Sequence, residues 1–267
     1  MKILIRASVV LSFALILLNL YGLTQSLRPQ GLTEDVLRFK EKDLKIELNE
    51  FESQVKRFSN EVEEEYAERL TYVIANGMAH VIWGEYEPTV FNQTIPIWEN
   101  YILYFLGTVL KLPEFERYHF TIPEKSIERG VGLCGDASML MSELLKREGI
   151  SNTIITVPGH VMVQVEFESG EARLFDPDFG VVLQKDISFY RKNSDELVRE
   201  YNAYGYINNG ELMIRSGLVE EGYQKWKGAD HFVTKKYYFE RLSYFMIWII
   251  PVGILLLAFL FRKAFSL

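Results

Sequence analysis

Residues 132–178, GLCGDASMLMSELLKREGISNTIITVPGHVMVQVEFESGEARLFDPD, decide the fold of this 267-residue chain. From Cys134 to Glu148 the apolar residues recur at helical spacing, which predicts a helix with Gly149 at its C′ position. Three strands are predicted next, at Asn152–Val157, His160–Phe167 and Ala172–Phe175. Ser169-Gly170 is typical of a hairpin turn between the last two strands. A helix followed by hairpin-linked strands predicts an α+β fold with an antiparallel sheet.

A cysteine stands at the predicted start of that helix. The positive end of a helix dipole favours the thiolate, which is the nucleophilic form of cysteine. Gly132 and Gly135 flank Cys134 and would let a substrate approach the backbone closely. The N–H group of Cys134 could then donate to an oxyanion, while the nearby charge of Asp136 opposes ionisation of the thiol. Cys134 is therefore a candidate nucleophile.

A histidine and an aspartate complete the candidate site. Alternation along the second strand sends the His160 and Met162 side chains to one face and the valines to the other. A hairpin centred near residue 168 would place Asp176 opposite His160. This arrangement suits a triad in which Asp176 orients His160 and His160 activates Cys134.

Each of these residues also has a structural interpretation. A lone cysteine is often a small buried apolar residue, a histidine at a strand end is often structural, and an Asp-Pro pair often begins a turn. The order and spacing of Cys134, His160 and Asp176 within one fold context favour the catalytic interpretation.

The segment from Arg129 to Gly180 resembles the catalytic core of the transglutaminase-like superfamily, and the chain looks like a bacterial, membrane-anchored member. The resemblance covers 52 of the 267 residues. Its motifs are Gly132-Leu133-Cys134, Gly159-His160-Val161 and Phe175-Asp176-Pro177. In that family the three side chains form a papain-like triad, which implies those roles for Cys134, His160 and Asp176. Many members carry a tryptophan where this chain has Met162 and Val163.

The resemblance implies thiol acyl transfer through a thioester. The donor would be a peptide bond or a glutamine-type amide in a protein or peptide of the cell envelope. The acceptor would be water, in a peptidase or amidase, or an amine, in a transglutaminase. The alternative function is a non-catalytic membrane scaffold that retains the fold within an envelope complex.

Two uncharged runs of 18 residues, Ala7–Thr24 and Tyr244–Phe261, stand apart in composition. A membrane-spanning helix needs roughly 17–25 predominantly apolar residues, so both runs qualify. The first run is longer than the apolar region of a signal peptide, and no Ala-x-Ala-like cleavage site follows it, which favours an uncleaved anchor. A cleaved leader and a buried C-terminal core helix are the alternatives.

Basic residues at both ends predict the topology. Lys2 and Arg6 before the first run, and Arg262 and Lys263 after the second, favour the cytoplasm for both termini. Residues 25–243 would then lie outside the cytoplasm, as in an inner-membrane protein facing the periplasm. Three residues argue the other way: Lys235, Lys236 and Arg241.

Charge and cysteine content exclude several other classes. All 36 acidic residues and all but four of the 29 basic ones lie within 25–243, which gives this segment a net charge near −11. Such a domain offers no basic footprint for nucleic acid. The single cysteine excludes an intramolecular disulfide, and the scattered histidines predict no zinc site. We expect no cofactor and no metal.

The resulting division of the chain has four parts. They are an anchor at 1–24, a linker with an amphipathic helix at 25–60, a catalytic domain at 61–243 and a membrane helix at 244–261. A heptad-like seam, which predicts either a coiled-coil stalk or dimer contact or a helix packed on its own domain, is formed by Leu44, Leu48, Phe51, Val55, Phe58 and Val62. Further helices are predicted at 61–83 and 98–110, with irregular structure at 113–129. Residues 190–240 receive no assignment.

Overall fold

A computed structural model describes residues 2–40 and 43–264, and these form a mixed α+β structure with an antiparallel sheet. The helices, in chain order, are α1 Lys2–Gly22, α2 Leu48–Gln54, α3 Glu63–Gly77, α4 Tyr101–Tyr104, α5 Pro113–Glu116, α6 Pro123–Arg129, α7 Cys134–Arg147, α8 Ile187–Lys192, α9 Ser194–Ala203, α10 Glu211–Glu220, α11 Ala229–Phe232 and α12 Thr234–Ala264. The strands are β1 Ala79–His80, β2 Val131–Gly132, β3 Ser151–Val157, β4 His160–Glu166, β5 Ala172–Asp176, β6 Val181–Leu183 and β7 Gln224–Trp226. The predicted α+β class is confirmed.

The chain packs as two compact units. Of the described residues, one unit contains 30–40, 43–82 and 119–237, and the other contains 2–29, 83–118 and 238–264. The division predicted from sequence, with a domain at 61–243, stays a prediction. The predicted linker from residue 30 onward belongs to the unit that holds the sheet.

The five-stranded sheet has the order β6-β5-β4-β3-β7, and every neighbouring pair is antiparallel. The three predicted strands are confirmed to within one residue at each end. The β4–β5 hairpin pairs Glu166 with Ala172 and Val163 with Phe175, so it is centred on Ser169, one residue later than expected. Continuing this register places Asp176 beside Met162 and diagonal to His160, on the same face of the sheet.

Helix α7 covers one face of the sheet. All its residues from Asp136 to Leu145 are buried, and apolar residues spaced three and four positions apart join the β4 valines in one core cluster, which includes Leu140, Met141, Leu144, Val163 and Val165. Gly149 takes the left-handed conformation with φ 76°, and the Ile150 N–H donates to the Leu145 carbonyl at 3.0 Å. This Schellman-type ending confirms the predicted helix end.

Helices α8, α9 and α10 supply the core of the other face. Ile187, Leu197, Tyr201, Ile214 and Leu218 are all fully buried and pack with the β3–β6 side chains of that face. Residues 190–240, unassigned from the sequence, therefore contain the helices that bury the second side of the sheet. This burial explains why Met162, Val163, Gln164 and Val165 on β4 are buried without alternation.

The heptad seam forms neither a coiled-coil stalk nor a long helix. Leu44 has a left-handed φ of 49°, and α2 runs only from Leu48 to Gln54. Phe51 and Val55 are buried in the same core cluster as α7, whereas Phe58 is 54% exposed. The alternative of a helix packed on its own domain is the correct one, because the seam ends in turns after Val55.

Three other expectations need correction. The helix predicted at 61–83 ends at Gly77, since the chain continues into β1. The helix predicted at 98–110 is a single turn, α4, followed by a π-helical turn at Phe105–Val109. The segment 113–129 is not irregular, because it holds α5 and α6, and each begins with a proline at the first helical position.

Among the described residues, two helices are long and apolar enough to cross a membrane: α1 and the Thr234–Lys263 part of α12. Both lie in the other unit, except for residues 234–237 at the start of α12. Pro251 interrupts the hydrogen bonding of α12, because it has no N–H to donate to the carbonyl of Ile247. Asn19 of α1 donates its Nδ2 to that carbonyl at 2.7 Å, and the Tyr101 hydroxyl donates to it at 3.1 Å. The carbonyl freed by proline therefore joins the two apolar helices.

Candidate active site

Three neighbouring elements bring the predicted triad together. Cys134 is the first residue of α7, His160 the first of β4 and Asp176 the last of β5. His160 and Asp176 are buried, while Cys134 is half-buried. The His160 Nε2 lies 2.7 Å from the Asp176 Oδ2, and Cys134 is close enough to His160 to help raise its pKa. The order of the three side chains is Cys134, His160, Asp176.

The carboxylate of Asp176 receives hydrogen bonds on both oxygens. Its Oδ1 accepts the backbone N–H groups of Asp178 at 3.1 Å and of Phe179 at 3.2 Å. Its Oδ2 is shared by His160 and by the hydroxyl of Tyr201, which donates from α9. A buried carboxylate is costly unless hydrogen bonds surround it, and here they do.

His160 and Asp176 each stabilise the charged form of the other. Burial alone would lower the pKa of His160, but the charge and hydrogen bond of Asp176, together with the contact to Cys134, hold that pKa well above its usual range. Burial alone would raise the pKa of Asp176, but His160, Tyr201 and the Phe179 N–H outweigh it and lower that pKa. The charged forms of both side chains are therefore favoured in the folded protein.

The surroundings of Cys134 leave one side open. Since Asp176 occupies the Nε2 of His160, Nδ1 is the ring nitrogen left for the thiol. A Cβ built on Gly135 would meet no described atom within 4 Å, whereas one on Gly132 would collide with Met78 and Asp136. The absence of a side chain at Gly135 therefore leaves room for a substrate beside Cys134, whereas the absence of one at Gly132 is required for packing. The Cys134 N–H lies in the first turn of α7, where amides lack intrahelical acceptors.

Asp136 was expected to oppose ionisation of the thiol, but hydrogen bonds and a nearby cation compensate the charge of its carboxylate. Its Oδ2 lies 2.8 Å from the His119 Nδ1 and accepts the Leu133 N–H at 2.9 Å, which caps α7. The guanidinium of the buried Arg129 lies 3.5 Å from its Oδ1. Burial alone would raise the pKa of Asp136, but His119, Arg129 and the Leu133 N–H outweigh burial and lower that pKa. This cluster fixes the helix start that carries Cys134.

A second histidine cluster adjoins the turn after Asp176. The His80 Nδ1 lies 2.7 Å from Asp43 Oδ1, and its Nε2 lies 3.3 Å from Asp178 Oδ1. Arg38 binds the other oxygen of Asp178 at 2.7 Å. Burial lowers the pKa of His80, but Asp178 and Asp43 outweigh it and raise that pKa. The cluster anchors Asp178, whose backbone N–H supports the triad aspartate.

Two residues of the site were missed in the sequence. Tyr201 and His80 lie 25 and 96 positions from Asp176 in the sequence, in segments without a motif. Only folding brings them to the site. The pattern around Tyr201, amphipathic at helical spacing, predicts a buried face but gives no partner for the hydroxyl. Among the described residues, no three His, Cys, Asp or Glu side chains are arranged to hold a metal ion.

Comparisons with known proteins give no further assignment. No family model, no curated protein and no solved structure matches this chain. The family relationship implied by the three motifs therefore stays a prediction.

Proposed function

We propose that this chain is a membrane-anchored thiol acyl-transfer enzyme of the transglutaminase-like class, with Cys134 as nucleophile, His160 as base and Asp176 as the orienting carboxylate. The single observation that carries the proposal is the arrangement of three side chains: the buried Asp176 bonds to His160, and both Asp176 and the neighbouring half-buried Cys134 raise the pKa of His160. Its substrate would be a peptide or side-chain amide, and we favour water as the acceptor.

The reaction would proceed in two balanced steps. The Cys134 thiolate attacks the carbonyl carbon of the amide, and the His160 imidazolium gives its proton to the leaving amine as the C–N bond breaks. The product is a thioester on Cys134. His160 then removes a proton from water, which attacks the thioester, and the proton returns to the sulfur as the acid leaves. Asp176 holds the imidazole orientation and stabilises its charge throughout.

The electrostatics support this chemistry. The raised pKa of His160 favours an imidazolium beside the thiol, and an imidazolium next to cysteine favours the thiolate. The opening beside Gly135 offers room for a substrate carbonyl near the Cys134 N–H, which could stabilise an oxyanion. Two apolar helices support anchoring in a membrane, where the enzyme would act on a protein or peptide of the cell envelope.

The chain offers a test that needs no knowledge of the substrate. Cys134 is the single cysteine, so any thiol-reactive probe reports on this site alone. The alkylation rate of the full chain in membranes should be measured from pH 5 to 9. At pH 6 an ordinary thiol with pKa near 8.5 is under about 1% thiolate, so an ion pair should speed alkylation roughly tenfold or more.

Matched variants separate the site from general exposure. His160→Gln should remove the fast reaction at pH 6, and Asp176→Asn should slow it partly, whereas His231→Gln, in an exposed position, should leave it unchanged. Denatured protein gives the rate of the unassisted thiol. If native and denatured rates agree at pH 6, Cys134 is not activated, and the non-catalytic scaffold replaces the enzyme as the function.

A labelled primary amine distinguishes the two acceptors. Incubation of membranes with this amine and envelope proteins should give little incorporation if water is the acceptor. Robust incorporation that disappears in Cys134→Ala would instead assign a transglutaminase.

A further inference from the structure

The two apolar helices enclose a groove at the end where the chain begins and ends. It has a volume of about 950 Å³ and lies between α1 and α12. Its α1 wall has residues three and four positions apart, which places them on one helix face: Lys2, Ile5, Arg6, Val9 and Val10. Its α12 wall contains Val252, Leu255, Leu256, Ala258, Phe259 and Arg262.

The groove is amphipathic along its length. Lys2, Arg6 and Arg262 bring three cations to one end, and the rest of the lining is apolar. None of the described residues that line it is acidic, and all acidic residues of the chain lie between Glu34 and Glu240 in the sequence. An occupant should therefore combine an anionic group with a long apolar part.

The length of the groove fits one leaflet of a bilayer. It begins at Val252, directly after Pro251, and ends at Arg262. Ten residues of helix rise about 15 Å, which is half of a hydrocarbon core of about 30 Å. Beyond the groove, the two helices meet where Asn19 donates to the Ile247 carbonyl. An acyl chain could lie along the apolar lining with its headgroup at the cations.

We infer that this groove binds an anionic phospholipid of the surrounding bilayer. Basic pockets between membrane helices bind lipid headgroups through charge, and here the acyl chains cover side chains such as Val10 and Phe259, which are 67% and 66% exposed. A second copy of the chain is a poorer occupant, because its symmetry-related groove would bring like charges together. The inference rests on both helices entering a membrane and is independent of the thiol chemistry.

Native mass spectrometry of the full chain in a neutral detergent tests the site. Dioleoylphosphatidylglycerol is the anionic probe and dioleoylphosphatidylcholine the zwitterionic one. We expect one phosphatidylglycerol to bind preferentially. Arg262→Gln should weaken that binding about fivefold, the usual effect of one cation at a lipid surface, and Lys263→Gln, next in sequence but outside the groove lining, should not.

A second matched pair tests the apolar part. Leu256 lines the groove and Leu257 does not, although their exposures are similar at 60% and 56%. Leu256→Trp should fill the groove and lower lipid binding several-fold, and Leu257→Trp should leave it intact. Thermal unfolding of each variant checks that the helices still pack.

Several outcomes would overturn the inference. Equal binding of the two lipids would show that the cations do not select the headgroup. Equal effects within either pair of variants would show that the groove is not the site. Release of the wild-type chain from membranes by alkaline carbonate would remove the premise itself, whatever the thiol assays report.

Discussion

At the scale of single residues, the site depends on how completely Asp176 is surrounded. A buried carboxylate that loses one donor retains its charge in a medium of low polarity, which costs several kcal/mol in the worst cases. His160, Tyr201 and two backbone N–H groups share the two oxygens of Asp176. Each donor therefore contributes both to stability and to the orientation of His160.

Tyr201→Phe should both destabilise the protein and slow the thiol reaction. The change removes the hydroxyl that donates to Asp176 without altering the ring packing in the core. A hydrogen bond to a charged group contributes about 1.5–3 kcal/mol, so we expect a loss of that size in the free energy of unfolding. Alkylation of Cys134 at pH 6 should slow several-fold, because the orientation of His160 loosens.

Tyr190→Phe is the matched control for that experiment. Tyr190 is also fully buried, and its hydroxyl donates to Glu200 at 2.6 Å rather than to the triad. It should cost stability but leave the rate of alkylation unchanged. If both variants slow alkylation equally, Tyr201 has a structural role only.

The raised pKa of His160 predicts how stability depends on pH. The contribution of protonated His160 should be fully present below its ordinary value near 6.5 and lost as pH rises through the raised folded pKa. The lowered pKa of Asp176 has the opposite sense, so its contribution is lost only as pH falls through that folded pKa. The difference in unfolding free energy between wild type and His160→Gln should therefore shrink from pH 6 towards alkaline pH. A difference that grows with pH would contradict the assignment.

At the scale of elements, α1 and α12 are joined at the carbonyl that Pro251 leaves without a partner. A proline within an apolar helix is tolerated when other groups satisfy that carbonyl, and here Asn19 and Tyr101 do so. Gly22 at the end of α1 has its own packing requirement, because a Cβ there would overlap the Trp98 carbonyl. Removal of α1 as a cleaved leader would eliminate these contacts.

A double-mutant cycle tests this junction. Asn19→Leu alone should destabilise the helix pair by about 0.6–2 kcal/mol, the usual size of a hydrogen bond between membrane helices. In a Pro251→Ala background the restored N–H can bond to the Ile247 carbonyl, so Asn19→Leu should cost less there. Thermal unfolding in detergent measures all four proteins. Equal costs in both backgrounds would mean that the proline carbonyl is not what Asn19 satisfies.

At the scale of the whole molecule, the chain passes between its two units at residues 29–30, 82–83, 118–119 and 237–238. The sheet, the triad and the His80 cluster belong to one unit, and α1 and the part of α12 after residue 237 belong to the other. Neither unit is continuous in sequence, so truncating the chain at either apolar helix removes part of a packed unit rather than a detachable tail.

The basic residues at the two termini predict that residues 25–243 face away from the cytoplasm. Protease added to cells with a permeabilised outer barrier should degrade this region, while tags at both termini survive. A known cytoplasmic protein serves as the control for intact membranes. Protection of residues 25–243 alongside degradation of a known external protein would show that the topology is reversed.

By itself the sequence determined the features that arise from local periodicity. The helix from Cys134, its glycine ending, the three following strands and the two apolar helices all follow from residues close to one another in the chain. The Cys134, His160 and Asp176 motifs were also readable, because a helix start and a short hairpin bring them together over 43 residues. The hairpin register was off by one position, yet diagonal contact across the sheet still joined His160 to Asp176.

Contacts between residues far apart in the sequence depend on the tertiary structure. Tyr201 donates to Asp176 from α9, which packs on the face of the sheet opposite α7. His80 is buried against Asp43 and Asp178. Asn19 and Ile247 meet across 228 positions. No local pattern encodes such partners, because a buried polar side chain is fixed by whichever donor or acceptor the packed core brings within about 3 Å, and that depends on the whole fold at once.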